Sequence, residues 1–383
     1  MGFANAIIGG AAALIRAAIR SPNFVTGVSG WSVNKDGSAE FSDLTARGNI
    51  VATEIAGIAY VRASGDISGV TDANNINSAL SGATPVVQLI PGTYYINRTL
   101  VIPSSKSLVG TGPAAVNVAP GAIHVMPVII ILVSGSNTHM VEFAGNNCYL
   151  GSVELDGNQA GQSAGFGTGL LIDNLFYCQA EKVFIHDQRY YGVSLVNSLA
   201  NKIYFSSISS NGNSGISIDS SSDDNEILGC YIANNGADNI VISGFVNHLL
   251  DCDIWGSAAN GVTINGGRGN LVTNCGIDHN QQNGLVILSP AASVSVVNCT
   301  FHSNGLAANN TYNNIVVTGT QVEIAIAACN FWLDGGVTNK VAYHIFYGAG
   351  GGAKTHGNGF GSANSASGTI SGPSVAKDAN ETG

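Results

Sequence analysis

The sequence predicts an all-β chain, a single-stranded parallel β-helix with coils about 23 residues long, preceded by a short helix and a segment of alternating residues. Two observations carry this. The composition suits turns and strands, with 50 Gly and only 10% charged residues in 383, where globular domains average about a quarter charged. From about residue 140 the chain also repeats in two registers at once.

In the first register a Gly or Asn opens an apolar triplet. It recurs at Gly169, Gly192, Gly215, Asn239, Gly261, Gly284 and Asn314, in steps of 23, 23, 24, 22, 23 and 30. Cysteines mark the second: Cys230, Cys252, Cys275, Cys299 and Cys329 step by 22, 23, 24 and 30. Both lengthen at the last step, so one insertion of about seven residues around 306–312 explains both. A 23-residue period is too short for two packed helices and lacks a leucine-rich consensus. β-Branched runs between Asn/Gly turns fit three short strands per coil. Coils stacked about 4.8 Å apart place like positions over one another.

Residues 1–20 read as a helix of small residues, stopped by Ser21-Pro22. They lack the positive start of a cleaved signal. Residues 21–60 alternate apolar and polar, with Asp36-Gly37 as a hairpin turn. A short helix is expected over 71–81, then strands at 86–90 and 94–96 around Pro91-Gly92. The apolar stretch 125–133 fits a buried strand and is too short to cross a membrane. Residues 61–345 form the β-helix, and the Gly- and Ser-rich residues 346–383 read as a flexible or partner-dependent tail.

Net charge is −10 with only 14 Lys plus Arg, so no phosphate-tracking cluster is present and nucleic acid is excluded as a partner. The five repeating cysteines form a column. Each is followed two residues later by Ile232, Ile254, Ile277, Phe301 or Phe331, which marks their shared face as inward. They are expected to be reduced and to pack as small hydrophobes. No CxxC or HxxxH spacing occurs, and neither metal nor cofactor is expected. Asn225, Asn247 and Asn270 lie five residues before a cysteine, and Asn201 lies five before Ser206. They are expected to hydrogen-bond along the stack.

Inward cysteines imply outward neighbours: Tyr231, Asp251, Asp253, Trp255, Asn274, Asp278, Asn298, His302 and Trp332. Trp255, Asp278, His302 and Trp332 share one offset and should form an exposed row. Asp253 and Asp278 fall diagonally across neighbouring coils, roughly 7 Å apart. They are the candidate catalytic pair, as general acid and base or as two glycosidase carboxylates. The row's aromatic rings suit stacking on sugars. The plainer alternative is that the row is buried in a trimer contact. Asp187, Gln188, Arg189, Tyr190 and Tyr191 form a second polar and aromatic cluster. Candidate ligand contacts are therefore Trp255, His302, Trp332, Asp251, Tyr231, Asp187 and Arg189.

Residues 65–112 resemble the opening segment of the pectate-lyase-like superfamily of right-handed β-helices, familiar in phage tailspikes and polysaccharide-degrading enzymes. The match runs through Gly65-Asp66, Val70-Thr71-Asp72, Ile76-Asn77-Ser78-Ala79-Leu80, Leu89-Ile90-Pro91-Gly92-Thr93-Tyr94-Tyr95-Ile96, Leu100-Val101-Ile102-Pro103-Ser104 and Leu108-Val109-Gly110-Thr111-Gly112. Leu155-Asp156-Gly157-Asn158 also resembles the family. Its polygalacturonase-like set (Asn-Thr-Asp, paired Asp, His-Gly, Arg-Ile-Lys) is absent as a set, and Asp223-Asp224 sits in a Ser-rich turn.

Residues 22–50 resemble the N-terminal segment of minor tail proteins from phages of actinobacteria, through Pro22-Asn23-Phe24-Val25-Thr26-Gly27-Val28-Ser29-Gly30-Trp31, Asp36-Gly37-Ser38-Ala39-Glu40-Phe41 and Leu44-Thr45-Ala46-Arg47-Gly48. The two resemblances imply a right-handed fold in a homotrimeric tail fibre or tailspike. It would be made in the host cytoplasm, joined to other tail proteins through residues 1–60, and would contact a host-surface polysaccharide without entering a membrane. The alternative is a depolymerase, either a lyase or a glycoside hydrolase. A third reading is a spacer with no ligand.

Overall fold

The computed structural model describes residues 18–26, 28–34, 38–41, 54–55, 57–111, 126–163, 165, 167–319, 323–334, 337–348, 353–361, 365–371 and 381–382. Two compact units result, residues 1–52 and 53–383. In the first, Ala18–Arg20, Trp31–Asn34 and Ala39–Phe41 make a three-stranded antiparallel sheet. The helix expected over 1–20 is corrected at its end: Ala18–Arg20 are extended because they pair with Trp31–Asn34. Residues 1–17 and the Asp36-Gly37 turn lie outside the described residues.

The second unit is a right-handed parallel β-helix with three faces of 12, 11 and 13 strands among the described residues. One coil shows the plan. Asp253–Trp255 lies on the first face, Val262–Ile264 on the second and Leu271–Thr273 on the third; the chain then returns to the first face at Gly276–Asp278. Each strand pairs in parallel with its counterpart one coil away. On the first face only the middle residue of each triplet points inward. Ile208, Ile232, Ile254, Ile277, Phe301 and Phe331 therefore form an unbroken buried stack. Its rings continue to Phe360, with Phe331 5.3 Å from Phe301 and 5.0 Å from Phe360.

Corners decide whether such a stack can exist, because their backbone N–H groups are buried between coils. The expected asparagine column supplies the acceptors. Asn225 Oδ1 accepts the Asn201 N–H at 2.9 Å, Asn247 Oδ1 the Asn225 N–H at 3.1 Å, and Asn270 Oδ1 the Asn247 N–H at 2.9 Å. Cys148 and Cys178 occupy the same corner in earlier coils, and the Cys178 N–H donates to Asn201 Oδ1 at 2.9 Å. A second column leaves the first face, where the Asn211 N–H donates to Asn235 Oδ1 and the Asn280 N–H to Asn304 Oδ1. All seven cysteines are free and buried, and burial pushes the Cys252 thiol well above its ordinary range.

The helix expected over 71–81 is observed at Val70–Ser81, where Ala73, Ile76 and Leu80 are fully buried against the early coils. The Asp66 carboxylate accepts the Ser68 and Thr71 N–H groups at the helix start. At the other end the expected tail is corrected in part, among its described residues. Lys354–His356, Gly359–Phe360 and Ser365–Ser371 add strands to the three faces. Thr355 and Phe360 fill the inward positions, so even a Gly-rich coil can stack on a finished one.

Asn225→Ala leaves the buried Asn201 N–H without its acceptor. It should destabilise the β-helix by about 1–3 kcal/mol in urea unfolding. Ser81→Ala, at an exposed hydrogen bond to the Ser78 carbonyl, should cost far less. Equal effects would contradict the corner argument.

Candidate functional site

The row expected from the cysteine offset exists. Trp255 pairs with Asp278, Asp278 with His302, and His302 with Trp332 on successive coils of the first face. All four are partly exposed. Asp253 pairs with Gly276 and so stands diagonal to Asp278. His302 and Trp332 stack with ring centroids 4.6 Å apart and planes within 8°.

The chain adds two residues to this row that the offset rule missed. His279 follows Asp278 in a left-handed corner conformation, φ 50°. That turn brings its ring back, so His279 Nδ1 lies 2.6 Å from Asp278 Oδ1 and Nε2 lies 3.3 Å from Asp334 Oδ2. His302 meets the same two carboxylates, at 3.4 Å from Asp278 Oδ2 and 3.1 Å from Asp334 Oδ2. Asp253 is exposed. Lost hydration along the wall, then the Asp278 charge, still lift its carboxyl above the usual range. For Asp334, partial burial acts upward, but the His302 and His279 charges and the Ser303 hydrogen bond outweigh it and leave the carboxyl below the usual range. Asp253 is thus the more reluctant of the two carboxyls to ionise.

One expected contact is corrected. Tyr231 faces outward yet is only 6% exposed, because Trp255 folds over it with its indole N–H donating to the Tyr231 hydroxyl. Asp251 is exposed, as expected, at a corner with φ 53° and apart from the row. The same corner is left-handed in other coils, at Phe205, Gly229, Asn274 and Asn298.

Asp187 and Arg189 belong to a second cluster on the same face. His186 Nδ1 lies 2.7 Å from Asp187 Oδ2, and Nε2 lies 3.2 Å from Glu154 Oε1. Phe184 stacks on the imidazole at 4.3 Å. Burial pulls the imidazole down, but the Asp187 and Glu154 hydrogen bonds more than offset this and raise its pKa to about 9. The Arg189 Nε is buried without a hydrogen-bond partner among the described residues.

Comparison with known proteins agrees with this architecture. Residues 168–331 match the family model described as a right-handed β-helix region. No curated protein matches the sequence. Among solved structures, the chain is similar to the A-module of mannuronan C-5 epimerase AlgE4 from Azotobacter vinelandii, with TM-score 0.61 and 15% identity over 82% of this chain and 96% of that one. It is also similar to the Dettilon tailspike protein, with TM-score 0.56 and 16% identity over 82% and 62%. A third is the catalytic domain of a GH87 α-1,3-glucanase, with TM-score 0.53 and 13% identity over 88% and 71%. These likenesses concern the fold.

The raised His186 pKa sets a pH dependence. An imidazole protonated more readily when folded stabilises fully below its unfolded value, near 6.5. That stabilisation should fade as pH rises from about 6.5 through about 9. Denaturant unfolding of the wild type and His186→Gln should differ most at pH 6 and converge by pH 10. A gap that is constant with pH would remove the charged His186 bridge.

Proposed function

We propose that this chain is the glycan-contacting β-helix of a phage tail protein, with the row from Trp255 to Trp332 as its sugar-facing surface. The observation that carries the reading is the Trp332–His302 stack. It is a partly exposed pair of stacked rings beside the Asp278 carboxylate, with Asp253 farther along the same face. Aromatic rings pack on the apolar faces of sugars, while neighbouring carboxylates accept hydrogen bonds from their hydroxyls. The fold is shared with a tailspike and with polysaccharide-acting proteins, which supports the class of ligand. The resemblance of residues 22–50 to minor tail proteins supports virion attachment through residues 1–60. Homotrimeric assembly belongs to the same reading.

One observation favours a second reading, a polysaccharide-modifying enzyme. The carboxyl of Asp253 is lifted while Asp278 lies against two histidines, which suits an acid and a base with different tasks. The low exposure of Tyr231 leaves Trp332 as the aromatic residue to test first.

The two readings separate in one experiment. Purified chain is incubated with envelope polysaccharides from candidate hosts, and both retention and new reducing ends or unsaturated products are followed. The binding reading expects retention without product, weakened by Trp332→Ala roughly 30-fold, or about 2 kcal/mol. The enzyme reading expects product, lost in Asp253→Asn or Asp278→Asn while retention persists. Neither retention nor product on any host polysaccharide would refute both.

A further inference from the structure

His279 and His302 meet edge to face, 5.4 Å apart, between Asp278 and Asp334. Each imidazole places one nitrogen against each carboxylate, at 2.6, 3.3, 3.4 and 3.1 Å. The four side chains thus close a ring of alternating imidazole and carboxylate, drawn from three successive coils. Two imidazoles and two carboxylates within such distances are the donor set of a tetrahedral zinc site, and one divalent cation would neutralise both carboxylates.

We propose that Asp278, His279, His302 and Asp334 bind one divalent cation of the zinc class. The donor atoms of Asp278, His279 and His302 already lie within 4.8 Å of one another. Rotamer adjustment brings such groups to bonding distances of about 2.0–2.2 Å. Imidazole donors select zinc, cobalt or nickel over calcium or magnesium, which prefer oxygen alone. The cluster around His186 has similar residues but a different count. One imidazole stands there with the Glu154, Asp156 and Asp187 carboxylates, so that cluster offers a single ring where this one brings two together. The bound cation would clip three coils together. It would also stand beside Trp332, since His302 stacks on that ring. The site does not depend on the face binding glycan.

The test uses the full chain after treatment with chelator, titrated with zinc chloride by calorimetry and with cobalt chloride by visible absorption. The expected result is one equivalent of zinc with Kd of about 1 µM or tighter, together with cobalt ligand-field bands. His279→Gln and His302→Gln should each weaken binding by at least about tenfold. Asp334→Asn, at a side chain that is 42% exposed and so safe to the fold, should also weaken it. His248→Gln, on the third face, should leave it unchanged. Lack of saturation below about 1 mM, or equal affinity in all variants, overturns the proposal.

Discussion

The fold rests on how buried corner amides are satisfied. A strand in a parallel sheet finds partners on both sides, but a corner does not, and a corner between two coils is out of reach of water. Here an asparagine oxygen from the next coil takes that N–H, as from Asn201 to Asn225 and on to Asn247 and Asn270. The side-chain amides take part as well: Asn201 Nδ2 donates to the same Asn225 oxygen at 3.1 Å. A corner shifted by one residue would lose this acceptor and turn its flanking strands inside out. The column therefore fixes register as well as energy.

That register creates the first face. Strands there enter past the buried cysteines and leave past the second asparagine column, so both ends of each triplet are tied. The outward residues between these ties repeat at one-coil spacing, about 4.8 Å. Residues some 23 positions apart in sequence thus become neighbours, as with Asp278 and His302. Side chains are positioned by the stack and not by a long loop, which favours a preorganised surface.

Much of this was legible from the period alone. Cys252 and Asn225 recur because each coil rebuilds the same buried environment, and the cysteine offset placed Trp255, Asp278, His302 and Trp332 in one row. The corners were not legible. Phe205, Lys182 and Ala328 adopt φ of 47°, 53° and 53° without being glycine or asparagine. Neighbouring coils enforce that conformation, and no local turn signature marks it. The burial of Tyr231 was not legible either, because it depends on which way the Trp255 side chain folds. His279 left a usable trace, since it lies 23 residues before His302 and next to Asp278, but its ring returns to the row only through a left-handed turn.

The two clusters on the first face show how a wall poor in cations handles carboxylates. With 14 Lys plus Arg in the whole chain against 24 acidic residues, histidine becomes the local counter-charge. Glu154 and Asp187 share one imidazole, and their hydrogen bonds to it outweigh its burial and raise its pKa to about 9. Asp278 and Asp334 share two, with ring centroids 5.4 Å apart. A single divalent ion there would balance both carboxylates at once. The same residue types on the same face thus form a one-imidazole bridge in one place and a two-imidazole ring in the other, and the two differ in how many imidazoles the coils bring together.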